Sequence, residues 1–480
     1  MRKKLFVSLV LLLFTTALFS VKLNAEYNYS PWIEAIESAH SMSITKIVDN
    51  VNIEDSSGNK PVVTLDGLYD SHVYEDLLYV SDSKQNKVYV FNSDLEYLES
   101  YPKETDSATL DGPLGVFVAN NKLYVADSKN YRIAIFDLTT KMLIQEIKDP
   151  ADDIFLKIRF TPQRLVVDRS GRILVVAQNV FEGIMEFDSS GNFTRFYGTN
   201  VIQMGVLEAL IYRLSTKKQK EKMALKLQPS FTSIDIDEFG YIYTVSRADS
   251  NNPVKKLNFK GNDILIKNGY INVIGDAVYA RSDRYVAPGP STLSDITVNN
   301  DNNRFSILDA KRARIFTYDI EGHLLYIFGE KGSQNDKLQS PTSITYFDEK
   351  VIVTDNTTKS IYVYEPTKFG LLINQATQAY YQMDYDASKT FWNEVVSENS
   401  NYFLAYAGIG KTNLRNHEYQ EAIENLKLGH DYFNYSKAYK EYRTQQMKKV
   451  LPYLIVGALG LLTFIVYKSI RQAVKRDEDE

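Results

Sequence analysis

The chain has 480 residues, 44% of them hydrophobic and 24% charged, with 55 Lys+Arg against 60 Asp+Glu, five His and no Cys. That apolar content excludes a disordered chain, and the missing cysteine excludes disulfide scaffolds, thiolate zinc sites and cysteine nucleophiles. The net charge of −5 argues against nucleic acid as a partner, which needs a strong cationic footprint, and the length suits about three domains at roughly 150 residues each.

Residues 1–25 read as a signal peptide. Arg2, Lys3 and Lys4 precede an apolar run from Leu5 to Phe19, and Ala25 supplies the small residue at the cut. No cysteine follows the run, so a lipoprotein anchor is excluded. The lead-in, 26–60, carries Ser30 and Pro31 ahead of Trp32, Ile33, Ala35, Ile36 and Ala39. Proline just inside a capped start and that apolar spacing predict a short helix.

Internal repetition dominates residues 61–373. Leu78, Tyr79, Asp82 and Phe91 recur as Leu123, Tyr124, Asp127 and Phe136, each 45 residues on, and Asp309 recurs as Asp355 after 46. Looser copies start near Ile173 and Tyr241. Runs such as Val88-Tyr89-Val90-Phe91 and Ile361-Tyr362-Val363-Tyr364 alternate with period two, as strands do. Four strands per 45–50 residues is the pattern of a propeller blade. The predicted fold class is mainly β: a six-bladed β-propeller, then a small α-helical region and one transmembrane helix. Ile44 to Val48 is a candidate strand for closing the ring. An insertion at about 204–227, with Leu207, Leu210, Ile211 and Leu214 at helical spacing, predicts a plug or docking element.

Phe328-Gly329-Glu330-Lys331-Gly332 with Leu338-Gln339-Ser340-Pro341, Leu110-Asp111-Gly112-Pro113-Leu114-Gly115 and Tyr124-Val125-Ala126-Asp127-Ser128 resemble the inter-blade connections and strands of NHL repeats. The resemblance covers roughly residues 60 to 373 and implies a six-bladed propeller. It fades in blade four, where the loop Arg247 to Pro253 lacks the usual aspartate, and blade three has Gln178 in that place.

Residues 374–447 change period. Tyr419, Ala422, Leu426 and Gly429 follow Tyr385, Ser388, Trp392 and Val395 at an offset of 34, with Gly410 between helices. This spacing resembles tetratricopeptide units, with Tyr385, Trp392, Gly410, Tyr419, Ala422 and Leu426 as the packing positions. Val450 to Tyr467 then runs 18 residues without a charge, enough to cross a hydrocarbon core of about 30 Å. Lys468, Arg471, Lys475 and Arg476 mark the tail, 468–480, as the cytoplasmic side. With an exported start, the expected placement is a single-pass cell-membrane protein with its bulk outside. The absence of cysteine in so long an exported chain fits a bacterium.

For chemistry, the histidines are His40, His72, His323, His417 and His430. Only His72 and His323 fall in blades, and His323, after a turn glycine, is expected in solvent. A three-histidine zinc site of the kind used by lyase propellers is not available in the ring. The repeated Asp82, Asp127, Asp309 and Asp355 follow the second strand of a blade, where an aspartate caps the next turn. Ligand contact is expected instead from the residues that start each innermost strand: Asp70, Arg164, Ser233, Asp295 and Ser343, with Gly115 in the second blade. No metal, cofactor or catalytic cluster is expected. The chain reads as a surface binding or scaffold protein with protein partners, and its order of parts resembles accessory components of solute or carbohydrate uptake assemblies. Exposed tyrosines could stack on sugar rings, which keeps carbohydrate as a minor candidate ligand, but most alternate with valine and isoleucine and read more simply as blade packing. The alternative is a channel-centred, metal-dependent lactonase- or lyase-like enzyme.

Overall fold

The computed structural model describes residues 26–52, 62–103, 106, 108–148, 159–198, 230–246, 252–279, 287–300 and 303–478. The expected signal peptide, 1–25, and insertion, 204–227, lie outside the described residues.

Five short strands come first: β1 (Tyr27–Tyr29), β2 (Ala35–Glu37), β3 (Met42–Val48), β4 (Asn50–Asn52) and β5 (Val62–Thr64). Blade one is β6 (Leu68–Tyr74), β7 (Leu77–Asp82), β8 (Lys87–Phe91) and β9 (Tyr97–Tyr101). Blade two is β10 (Pro113–Ala119), β11 (Lys122–Asp127), β12 (Arg132–Asp137) and β13 (Leu143–Ile147). Blade three is β14 (Pro162–Val167), β15 (Ile173–Ala177), β16 (Ile184–Phe187) and β17 (Phe193–Tyr197). Blade four has three described strands, β18 (Phe231–Ile236), β19 (Ile242–Ser246) and β20 (Val254–Leu257). Blade five is β21 (Leu293–Asn299), β22 (Arg304–Asp309), β23 (Arg314–Asp319) and β24 (Leu324–Phe328). Blade six takes β25 (Pro341–Phe347), β26 (Lys350–Asp355) and β27 (Ser360–Pro366), and its outer strand is β3.

The expected closing strand is therefore present. Ile361 pairs with Val48 and Tyr364 with Ile44, so both ends of the propeller sequence share one sheet and β27 has no bare edge. The inner strands β6, β10, β14, β18, β21 and β25 neighbour one another in turn, and β25 returns to β6. Buried Val, Ile, Leu and aromatic side chains fill the seams between blades. One cluster joins Phe117 and Leu165 to Ile234 and another joins Tyr243 to Phe305 and Phe316.

The lead-in corrects one expectation. Residues 30–39 form no helix: Tyr29 pairs with Ala35 and Tyr27 with Glu37 in a β-hairpin. Its turn is held by Ser30 Oγ, which accepts the N–H of Trp32 (3.3 Å) and Glu34 (3.2 Å), and Ile33 takes the left-handed conformation at φ 64°. Tertiary contact outweighs the helical spacing. The Tyr27 hydroxyl donates to buried Asp276, the Tyr29 hydroxyl reaches the same carboxylate at 2.9 Å, and Arg314 Nη1 contacts Tyr27 Oη at 2.7 Å.

After the propeller come α1 (Lys368–Tyr381), α2 (Tyr385–Glu398), α3 (Phe403–Arg415), α4 (Tyr419–Leu428) and α5 (Tyr432–Glu478). The chain divides into compact units at Gln378 and Ala379. In the first, Asn374 of α1 accepts from the Tyr326 hydroxyl and donates to Glu349, which also binds Arg304 at 2.7 Å. In the second, α2 packs on α3, α3 on α4 and α4 on α5. Tyr385 and Tyr419 each begin a helix, α2 and α4, at the expected offset. Trp392, Ala422 and Leu426 are buried. Tyr385 and Tyr419 are half-buried. Gly410 is needed for closeness, since a Cβ there would lie 2.5 Å from Leu426 Cγ.

Ala422 is fully buried among Leu426, Ala438, Leu414 and Tyr435. Ala422→Glu forces a carboxylate into that seam and costs the helical unit about 3 kcal/mol or more. Hydrogen exchange is expected to show amide protection lost over residues 385–447 and kept in the blades. Loss of both together would count against separate folding units.

Candidate functional site

Each inner strand carries a register shift where it starts, between Leu68 and Ser71, Pro113 and Val116, Pro162 and Arg164, Phe231 and Ser233, Leu293 and Asp295, and Pro341 and Ser343. Bulges of this kind re-aim side chains, and here they bring together residues from facing blades. Arg164 Nη1 binds Asp70 Oδ1 and lies 3.8 Å from Asp295 Oδ1. Its Nη2 donates to the carbonyls of Thr342 (2.7 Å) and Tyr69 (3.2 Å). Ser233 Oγ donates to Asp295 Oδ1 at 2.5 Å, and Ser343 Oγ meets Ser71 Oγ at 2.8 Å. Gly115 leaves room for this, because a Cβ there would lie 2.9 Å from Arg164 Cα.

All five residues expected to contact a ligand are thus together: Arg164, Asp70, Ser233 and Asp295 are linked to one another, Ser343 bonds Ser71 and Thr354, and Arg164 Nε is buried without a partner among the described residues. The carboxylates also fasten blade to blade: Asp70 Oδ2 accepts the Val116 N–H (2.9 Å) and Asp295 Oδ2 the Ile344 N–H (2.7 Å). Burial raises the pKa of Asp295, opposed by Arg164 and by its hydrogen bonds. Among the described residues no group of three or more His, Asp or Glu is arranged to hold a metal. The positive charge that faces Asp70 and Asp295 is the Arg164 guanidinium.

The repeated aspartates are fully buried. Asp82 accepts the N–H groups of Asp66, Gly67, Lys84 and Gln85 at 2.8–3.1 Å. Asp355 does the same for Gln339, Ser340, Thr357 and Thr358 at 2.7–3.0 Å. Asp127 and Asp309 each accept an N–H from the connection before the inner strand, those of Asp111 and Thr292, and each binds an arginine, Arg132 and Arg312. They staple two loops, not only the following turn.

The opening on the axis lies at the other end of the inner strands. A cavity of about 1130 Å³ is bounded by the turns between the first and second strands, with Glu75, Asn120, Arg169, Glu238, Asn300 and Asp348 among its lining. It narrows past His72, Phe117 and Asp235 to a space of about 30 Å³ that reaches Asp70, Ser233 and Asp295. The funnel thus leads down to the two carboxylates that face Arg164. None of the turn residues was singled out from the sequence. The available signal was phenylalanine inside turn motifs, Asp237-Glu238-Phe239-Gly240 and Asn258-Phe259-Lys260-Gly261.

Two titratable groups face each other across the narrowing. His72 stacks beside Phe117, with ring centroids 4.1 Å apart. Burial draws its pKa down to about 4, against a hydrogen bond to the Val118 backbone. Burial pushes Asp235 up to about 7; the N–H groups of Val298 and Ile236 oppose this and Asp295 adds to it. For His72, the unfolded chain takes up a proton near pH 6.5 and the folded chain does not until about 4, so stability is lost as pH falls through that window. For Asp235 the folded chain keeps a proton up to about 7, so stability is lost as pH rises. The slopes oppose each other in the wild type. In denaturant titrations, wild-type stability relative to His72→Gln is expected to fall by roughly 3 kcal/mol from pH 7 to pH 4. A difference independent of pH would refute the buried neutral imidazole.

His323 departs from expectation. It is not in solvent: its side chain is 12% exposed and Nδ1 lies 2.9 Å from Asp319 Oδ2.

No protein-family model and no curated protein matches the chain. Solved structures resemble it at low identity. A catalytically inactive virginiamycin B lyase from Staphylococcus aureus, with quinupristin, is 11% identical over 66% of this chain and 88% of that one, at a TM-score of 0.38. Kuenenia stuttgartiensis hydrazine synthase is 12% identical over 62% and 95%, at 0.40. The β-propeller domain of a Myceliophteria thermophila protein is 8% identical over 68% and 100%, also at 0.40. The strand order of the chain itself defines the class: a six-bladed β-propeller followed by helices, the last of them long and apolar.

Proposed function

We propose that this chain is a membrane-tethered, extracytoplasmic binding protein that displays a propeller of NHL type and a tetratricopeptide-like helical stalk to protein partners. A single span, Val450 to Tyr467, holds it, and the short basic tail lies in the cytoplasm. The observation that carries the reading is α5: its most apolar 18-residue window has mean hydropathy 2.2, and none of that window is buried against the chain. An apolar helix left uncovered by its own protein suits a bilayer. On this reading the start of the axis is a lock between blades, and the work is recognition, not catalysis.

The test is fractionation. The protein is expected in the membrane pellet, released by detergent and not by alkaline carbonate. External protease should remove the propeller from intact cells while a tag after Glu480 stays protected. Crosslinking in intact membranes should return a protein partner. A propeller protected from external protease would overturn the placement. Metal-dependent turnover of a lactone by the purified chain would replace binding with the enzyme reading.

A further inference from the structure

We propose that the funnel at the turn end of the axis receives a basic peptide segment of a protein partner, with a lysine or arginine side chain in the mouth and the rest of the segment lying across Phe239 and Phe259. This rests on the binding-protein reading above.

Charge argues for a cation. Six acids and two arginines line the cavity. Several are paired with one another: Arg172 binds Asp168 at 2.7 Å and reaches Glu186 at 3.6 Å, and Asp237 lies 3.3 Å from Lys256. Asp235 is held by the N–H groups of Ile236 and Val298 at 2.8 Å each. Glu75, Glu238 and Asp348 are exposed, and their carboxylates make no hydrogen bond or salt bridge among the described residues. Arg169 is the one lining cation in the same condition. The three carboxylates come from blades one, four and six, so they surround the mouth. A concave surface with an excess of one sign focuses its potential on the opening.

The aromatic rim argues for a peptide over a lone ion. Phe239 is 76% and Phe259 65% exposed. Both sit on turns whose backbones are tied down: Asp237 Oδ1 accepts the N–H of Phe239 (3.0 Å) and Tyr241 (2.8 Å), and Asn258 Oδ1 those of Lys260 (3.0 Å) and Asn262 (3.1 Å). Fixed turns that present bare rings beside carboxylates offer apolar cover and cation–π contact together. A volume of about 1130 Å³ also exceeds the range of about 300–1,000 Å³ usual for a small molecule.

The full chain in nanodiscs of neutral lipid is titrated with a labelled hexapeptide alternating lysine and alanine. Its glutamate–alanine counterpart and spermidine are titrated at matched ionic strength. The basic peptide is expected to bind saturably, more weakly as salt rises. The triple variant Glu75→Gln, Glu238→Gln, Asp348→Asn should weaken it roughly tenfold, as three rim charges together warrant. Phe239→Ala with Phe259→Ala should weaken the peptide more than spermidine, because the peptide loses apolar cover as well as cation–π contact. If the triple variant fails to fold, Glu238→Gln alone should still lower affinity. Equal binding of the acidic peptide, unchanged binding by the charge variants, or spermidine binding as tightly as the peptide overturns the proposal. If any of these occurs while crosslinking still captures a protein partner, this site falls and the binding-protein reading stands.

Discussion

Asp355→Ala is expected to destabilise the propeller by about 4 kcal/mol or more, because one buried carboxylate satisfies four backbone N–H groups. Oδ2 holds Gln339 and Ser340 in the connection before β25, and Oδ1 holds Thr357 and Thr358 in the turn after β26. Truncation leaves donors from two loops without an acceptor, at roughly 1–3 kcal/mol for each that water cannot reach. Whole domains have only about 5–15 kcal/mol in reserve, so the loss is a large share. Calorimetry should show the propeller transition lowered by roughly 6 °C or more. Asp355→Asn, which keeps one acceptor oxygen, should fall between. Asp82→Ala should behave like Asp355→Ala, since it too holds four N–H groups. Retention of the wild-type melt by both alanine variants would show that the loops hold themselves.

That the stapling aspartates and the blade period were readable together has one cause. A residue that must sit at the same turn in several blades recurs at the blade length, as Asp82, Asp127, Asp309 and Asp355 do. The closing strand was legible on composition: four of the five residues from Ile44 to Val48 are β-branched, and β27 supplies the partner from the far end of the propeller. That residues 374–447 are helical followed from the 34-residue offset, and the aligned Tyr385 and Tyr419 each begin a helix. Residues 30–39 were misread because their local pattern is genuinely helical. What decides them is Asp276, 247 positions from Tyr29, and no local pattern reports that. The start of the axis was half legible. Blade alignment names the residues that converge, but not that Arg164 reaches Asp70 across 94 positions, because an arginine's reach depends on bulge geometry. The funnel was illegible. Its turn residues Glu75, Arg169, Glu238 and Asp348 lie between first and second strands in turns of different length, and no single residue type runs through all four, so the blade repeat does not report them. Chemistry that several blades share repeats in the sequence, whereas a residue placed in one turn alone leaves no period to read.

Arg164→Met is the sharper test of the lock on the axis. The guanidinium is 4% exposed as a residue and faces Asp70 and Asp295. Removing it strands both carboxylates in a place that already raises the pKa of Asp295 by burial. Breaking a buried ion pair from one side costs about 3–5 kcal/mol. The sign of the pH dependence follows. With Arg164 gone, Asp295, whose pKa burial already raises, holds its proton to higher pH than in the unfolded chain. The loss is therefore small in acid and grows as pH rises through that raised pKa. Denaturant titration at pH 5 and pH 8 should show the deficit mainly at pH 8. Adding Asp70→Asn and Asp295→Asn removes all three charges and should recover most of the stability, since replacing a whole buried pair is often near neutral. The carboxamides can still accept from Val116 and Ile344. A triple variant as unstable as Arg164→Met alone would mean that the arginine acts through its carbonyl contacts to Tyr69 and Thr342 and its packing. The axis would then be held by shape, and the two aspartates would be left for some other cation to claim.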